Sequence, residues 1–219
     1  MHIVRETKYD KLRVPLNKLR TTILLHGPIT LYEAKEQLHT NSTTADRHLK
    51  ILLREKELEI YDTELHWSGQ TKKIYGFTFY GFLRSFRIPG GVTRKKFTII
   101  MEMWLKQKRF HFFIPNDEAL RALSTPEVAD NLAKLCHLIA NMFGDAEDFL
   151  EDLGYEVDPA EVIELAFELA RDKYGKRFLG ACRVLCNTFP SYRNHIKAIV
   201  DTEQARIEEF RIGVFGKGN

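Results

Sequence analysis

Four residues in one short stretch could do chemistry on a polyanion. Thr43, Arg47, Lys50 and Arg54 fall at i, i+4, i+7 and i+11, the spacing that lines them up along one face of a helix. A hydroxyl and three cations in such a stripe suit phosphate oxygens, and the guanidinium of Arg47 also suits the acceptor edge of a guanine in the major groove of duplex DNA. Ser42 adds a hydroxyl at the start of the stripe. Asp46 lies on the same face, where it either accepts from a cytosine amine or opposes phosphate. A second group, His66, Gln70, Thr71, Lys72 and Lys73, offers donors for phosphate or the adjacent minor groove. The plainer alternative for any such stripe is a solvated charged helix face.

The elements that must position these residues are legible nearby. Leu16, Leu19, Ile23 and Leu24 recur at helical spacing and stop at Gly27-Pro28. Thr30 with Glu33 forms a capping-box pattern for a second helix carrying Leu31, Ala34 and Leu38 inward. A polar turn, His39-Thr40-Asn41-Ser42, precedes a third helix that turns Ala45, Leu49, Leu52 and Leu53 inward, with Asn41 or Ser42 as its cap. The period then changes to two. Leu58–Tyr61 and Ile74–Phe79 read as paired strands joined through Ser68-Gly69, before a short helix over Tyr80–Phe86 and a linker at Pro89-Gly90-Gly91.

Charge divides along the same line. Residues 1–97 hold 18 Lys+Arg against 10 Asp+Glu, a net of +8; residues 98–219 hold 15 against 20, a net of −5. A basic half joined to an acidic half suggests that the first meets the polyanion. At 219 residues, 44% hydrophobic and 29% charged, the chain has a globular composition and room for one large or two modest domains. Apolar runs such as Ile23-Leu24-Leu25 fall far short of the roughly 18 residues a membrane span requires. The amino terminus lacks the apolar stretch of a signal peptide, and three Cys do not make a disulfide scaffold, so a cytoplasmic protein with no membrane partner is expected.

The order helix, helix, turn, helix, strand, loop, strand is that of a winged helix-turn-helix. The stretch Leu38–Leu52, with its Arg47-His48-Leu49-Lys50 core, resembles the turn and recognition helix of the ArsR-like and MarR-like regulators of bacteria and archaea. Ile74–Gly81 is similar to their second wing strand with its Tyr-x-Leu-Thr-x-x-Gly ending, and Gly27-Pro28-Ile29-Thr30 to the loop that opens their second helix. The resemblance covers about residues 15–87. It departs at His39 and Glu57, where those regulators often carry Gly, and no Cys precedes Cys136 to serve the metal sensing of some ArsR-like members. It implies a sequence-specific transcription regulator of double-stranded DNA, with the third helix in the major groove and the wing on the adjacent backbone or minor groove.

The second half reads as almost entirely helical. Segments run from about Arg94 to Phe110; from Thr125-Pro126 to a terminator at Gly144, with Leu132, Leu135, Ile139 and Met142 inside; from Asp158-Pro159, with Glu161, to Gly175; from Lys176 to Thr188; and from Ser191 to about Arg211. Cys182, Cys186 and His195 could approach a metal, but without the spacing of a structural zinc site they read as core packing, as does Cys136-His137. The acidic run from Asp145 to Asp158 lacks the spacing of a calcium loop and reads as the solvated face of a helix. No nucleotide-binding, zinc-protease or serine-hydrolase motif occurs, and neither an enzyme nor a bound cofactor is expected.

The expected fold class is therefore mainly α. A winged helix-turn-helix with a two-stranded β-wing occupies 1–90, an all-α domain 94–212 and a frayed tail 213–219. A homodimer through the helical domain is expected, from the abundance of Phe110, Phe112, Phe113, Phe167 and Phe178 and from the two-fold habit of such regulators. That half could instead hold an effector or contact a protein partner. The alternative to DNA is a winged helix serving as a protein-interaction module in replication, segregation or basal transcription machinery, through apolar surface such as Trp67 or Phe82.

Overall fold

The computed structural model describes residues 8–65, 69, 71–87, 93–112, 114–154, 158–189 and 193–194. The expected 89–91 linker and 213–219 tail lie outside them. So does the expected helix from Ser191, save for Arg193 and Asn194.

The chain is mainly helical with one small antiparallel sheet. Helix α1 (Lys8–His26) ends at Gly27, whose φ of +88° only glycine adopts readily. Strand β1 (Ile29–Thr30) leads into α2 (Leu31–Leu38), where Thr30 and Glu33 form the reciprocal capping box. Helix α3 (Ser42–Arg54) is capped by Asn41, whose side chain accepts from the Thr44 amide at 2.8 Å. Strands β2 (Leu58–Leu65) and β3 (Thr71–Phe77) form a hairpin, and α4 (Phe79–Ser85) follows.

The sheet has three strands in the order β1-β3-β2, a correction to the two-stranded hairpin expected above. Ile29 and Thr30 pair with Tyr75 and Ile74. Two residues are too few to show a period of two, so only the partner strand reveals β1 as a strand. The hairpin also starts and stops differently from its expected ends. β2 continues to Leu65 through an irregularity between Ile60 and Asp62, and β3 stops at Phe77 because Thr78 is committed to capping α4.

Six further helices are described: α5 (Arg94–Leu105), α6 (Asn116–Ala122), α7 (Pro126–Ala140), α8 (Phe143–Asp152), α9 (Pro159–Tyr174) and α10 (Lys176–Thr188). The expected terminator Gly144 is instead in the first turn of α8. The chain leaves α7 at Asn141, which adopts an ordinary right-handed conformation, so no glycine is needed there. Helix α6 escapes the periodicity argument because it spans only two turns.

The basic and acidic halves share one cluster of buried side chains that runs from Leu16 to Phe189. At its centre Trp104 is fully buried, with ring centroids 5.4 Å from Phe77, 5.9 Å from Phe82 and 5.5 Å from Phe110. Its indole N–H donates to the Leu24 carbonyl at 3.2 Å, which satisfies an acceptor that the end of α1 leaves open. Phe110 and Phe178, two of the aromatics assigned above to a dimer contact, are buried in this core; Phe112 and Phe167 are partly buried, and Phe113 lies outside the described residues.

Candidate nucleic-acid interface

Helix α3 separates its two faces cleanly. Ala45, Leu49 and Leu52 are buried, while Ser42, Thr43, Arg47, Lys50 and Arg54 are exposed on the opposite side. The separation follows from spacing: the apolar residues recur at three and four, so packing them against α1, α2 and β2 turns the polar stripe to solvent. Arg47 makes no hydrogen bond or ion pair among the described residues. Lys50 is held by Asp46, one helical turn earlier, at 2.7 Å, and this bond raises its pKa. Asp46 therefore neutralises one of the three cations rather than standing alone on the face. The Arg54 guanidinium folds back toward the Lys50 carbonyl, 3.4 Å away.

The hairpin contributes unevenly. Thr71, Lys72 and Lys73 are exposed on β3, but Lys72 lies opposite Glu64 in the strand register and forms an ion pair with it at 3.6 Å. Lys73, opposite Thr63, makes no such pair among the described residues. His66 and Gln70 lie outside the described residues, as does Trp67. Phe82 is fully buried, with its ring 4.8 Å from Phe110, and so cannot supply the apolar surface considered above. The exposed apolar residues of this half include Tyr32, 66% exposed, and Leu65, 83% exposed.

The two departures from the glycine pattern have local explanations. His39 stands in the left-handed region at φ +52° and caps α2, so the turn keeps the conformation a glycine would provide and stores strain instead. After α3 the left-handed residue is Lys56, at φ +56°, and Glu57 is recruited for another task. Its carboxylate is fully buried and accepts two bonds of 2.6 Å from the Arg20 guanidinium of α1; Arg84 of α4 lies 3.3 Å away. Arg84 in turn donates to Tyr80 at 2.7 Å and pairs with Glu147 of α8 at 3.1 Å, while the Tyr80 hydroxyl donates to Glu147.

This network connects the end of α3 to the acidic helix, and no motif in the sequence announced it. Burial pushes the Tyr80 hydroxyl above its usual pKa. Burial, together with the neighbouring Glu57, also raises the Glu55 carboxyl. Burial and the charge of Arg47 push His48 below its usual range; its ring lies inside the fold with no hydrogen-bond partner at either nitrogen among the described residues.

Thr78-Phe79-Tyr80-Gly81 has a structural reason for its composition. The Thr78 hydroxyl accepts from the Gly81 amide and donates to the Lys56 carbonyl at 2.8 Å, so it caps α4 and closes the turn after α3. Gly81 lies so close to the Glu57 carbonyl that no side chain fits between them.

Elsewhere, Cys136 and Cys182 are buried and Cys186 is partly so; burial raises the thiol pKa of Cys136 and of Cys186. His195 lies outside the described residues. The acidic run is only partly a solvated face, because Glu147 anchors the network above and Asp145 pairs with Lys173 at 3.4 Å. No described helix is long and apolar enough to cross a membrane. Comparison with protein-family models, curated proteins and solved structures finds no match for this chain.

Proposed function

We propose that the chain is a winged helix-turn-helix transcription regulator of the ArsR-like and MarR-like kind, acting in the cytoplasm on double-stranded DNA. In this reading α3 enters the major groove and the β2–β3 hairpin is the wing. The observation that supports it most is the exposed edge of α3: Ser42, Thr43, Arg47, Lys50 and Arg54 stand together, with Arg47 committed to no other partner among the described residues. Such an edge presents hydroxyl and guanidinium donors at the groove-facing start of a helix. Lys73 and Thr71 extend it along the hairpin toward a neighbouring phosphate. A homodimer through the helical half would double the contact, and the exposed pair Phe149 and Leu153, one turn apart at the end of α8, is apolar surface available for it.

The test is a salt titration of binding to random duplex DNA, with wild type beside the Arg47→Ala/Lys50→Ala variant. Every phosphate that a removed cation no longer neutralises reduces the slope of log affinity against log salt by about 0.9, so the variant's slope is shallower by up to about 2. Absence of wild-type binding at low salt, where electrostatic affinity is greatest, overturns the reading.

A second reading is favoured by Tyr32 and Leu65, both largely exposed. It makes the same fold a protein-interaction module whose partner covers apolar surface. Loss of function on Tyr32→Ala/Leu65→Ser, with no loss on Arg47→Ala, would select it.

A further inference from the structure

Helix α10 packs along α7, and the groove between them has a composition that its surroundings do not predict. Lys134 and His137 of α7 and Lys176 and Arg177 of α10, all exposed, line a half-open groove of about 530 Å³, with Leu138 and Gly180 among the remaining lining residues. No described carboxylate lines it, although residues 98–219 carry 20 Asp+Glu against 15 Lys+Arg. Two other cations of this half find acids: Arg171 pairs with Asp172 and Lys173 with Asp145. Lys134, Lys176 and Arg177 make no hydrogen bond or ion pair among the described residues.

Helix electrostatics sharpen the point. Lys176 and Arg177 occupy the first turn of α10, where no acidic residue stands, and Gly175 provides no side-chain cap. The positive end of the helix dipole thus meets two further positive charges, the unfavourable arrangement. The first backbone N–H groups also lack a side-chain acceptor. An anion held between Lys176 and Arg177 offsets the repulsion of their charges by the helix dipole.

The remaining walls suit an organic ligand. The Phe86 carbonyl can only accept, so His137 donates to it through Nδ1 at 3.3 Å, which holds the ring and leaves Nε2 without a partner among the described residues. Gly180 leaves space open, since a β-carbon there would meet nothing within 4 Å. A volume of this size lies in the range of small-molecule sites. Two ammonium groups and a guanidinium fork match the charge of a phosphate dianion, and Leu138 and Gly180 offer contact to carbon.

We propose that the α7–α10 groove binds a small phosphate-bearing organic anion. The proposal does not rest on the DNA reading, because occupancy is measured directly, without nucleic acid.

The experiment is calorimetric titration of the full chain with 5′-AMP, pyrophosphate and adenosine at constant ionic strength. AMP and pyrophosphate are expected to saturate one site per chain, and adenosine, which has no phosphate, to show no binding. Lys176→Ala/Arg177→Ala is expected to weaken AMP at least tenfold. Gly180→Trp, which fills the groove, is expected to abolish AMP binding while far-UV circular dichroism and the melting temperature show the fold retained. Failure of both anions to saturate, adenosine binding as tightly as AMP, or AMP binding unchanged in both variants would each overturn the proposal.

Discussion

The Arg20 guanidinium grips the buried Glu57 carboxylate with two bonds of 2.6 Å, which fastens α1 to the residue that follows the turn after α3. The position of the exposed α3 edge therefore depends on an ion pair 37 residues apart in sequence. Removing one partner of a buried pair costs about 3–5 kcal/mol when the other charge is left uncompensated. Arg84, 3.3 Å from Glu57, still offsets part of that charge, so Arg20→Ala is expected to lose somewhat less than this in urea unfolding. Arg20→Lys, which keeps the charge but not the two-pronged fork, is expected to lose less. Equal stability of Arg20→Ala and wild type would show that the pair contributes nothing.

Gly81 and Gly180 make opposite predictions for the same substitution. At Gly81 a β-carbon would collide with the Glu57 carbonyl oxygen, so backbone must move; Gly81→Ala is expected to destabilise by about 1–3 kcal/mol or more. At Gly180, inside α10, the β-carbon meets nothing and the lost backbone entropy of glycine is recovered. Gly180→Ala is expected to stabilise by about 0.5–1 kcal/mol. Thermal or urea unfolding of the two variants reads both signs.

His48 makes the fold sensitive to acid. Its folded pKa lies below the ordinary 6.5, so as pH falls the unfolded chain takes up the proton first. The stability contribution is fully present above 6.5 and is lost as pH drops through that value toward the depressed folded pKa. His48→Leu removes two unsatisfied ring nitrogens and is expected to raise stability by about 1–2 kcal/mol near neutral pH. It is also expected to flatten the pH dependence below 6.5. Unfolding free energies near neutral pH and about two units below it check both effects, and a slope equal to wild type would refute the assignment.

Asp46 holds Lys50 at 2.7 Å and adds a negative charge to the α3 edge. If that edge meets phosphate, Asp46→Asn frees Lys50 and removes a repulsion. Affinity for random duplex DNA is then expected to rise, and the salt slope to steepen by up to about 1. Weaker binding confined to one target sequence would instead make Asp46 a reader of cytosine.

Most of the longer helices and the α3 stripe were legible in the sequence because they are local, whereas the two-turn α6 and the break between α7 and α8 were not. Capping residues act three positions away, as Thr30 and Glu33 do, and the inward set Ala45, Leu49 and Leu52 announces its face by its own spacing. The charge division of the two halves was legible for the same reason, since it needs only counting. Tertiary structure alone decided what depends on distant pairing. Strand β1 exists because Tyr75 and Ile74 lie beside it, and Glu57 is an anchor because Arg20 and Arg84 reach it from two helices. Glu147, one acid among many in its run, became a partner of Arg84 and Tyr80 only when α8 packed near α4. The groove is likewise a product of packing, because Lys134 and Arg177 share a wall only once α7 and α10 lie together. Periodicity records which side of a helix is buried, but it carries no information about which other helix will do the burying.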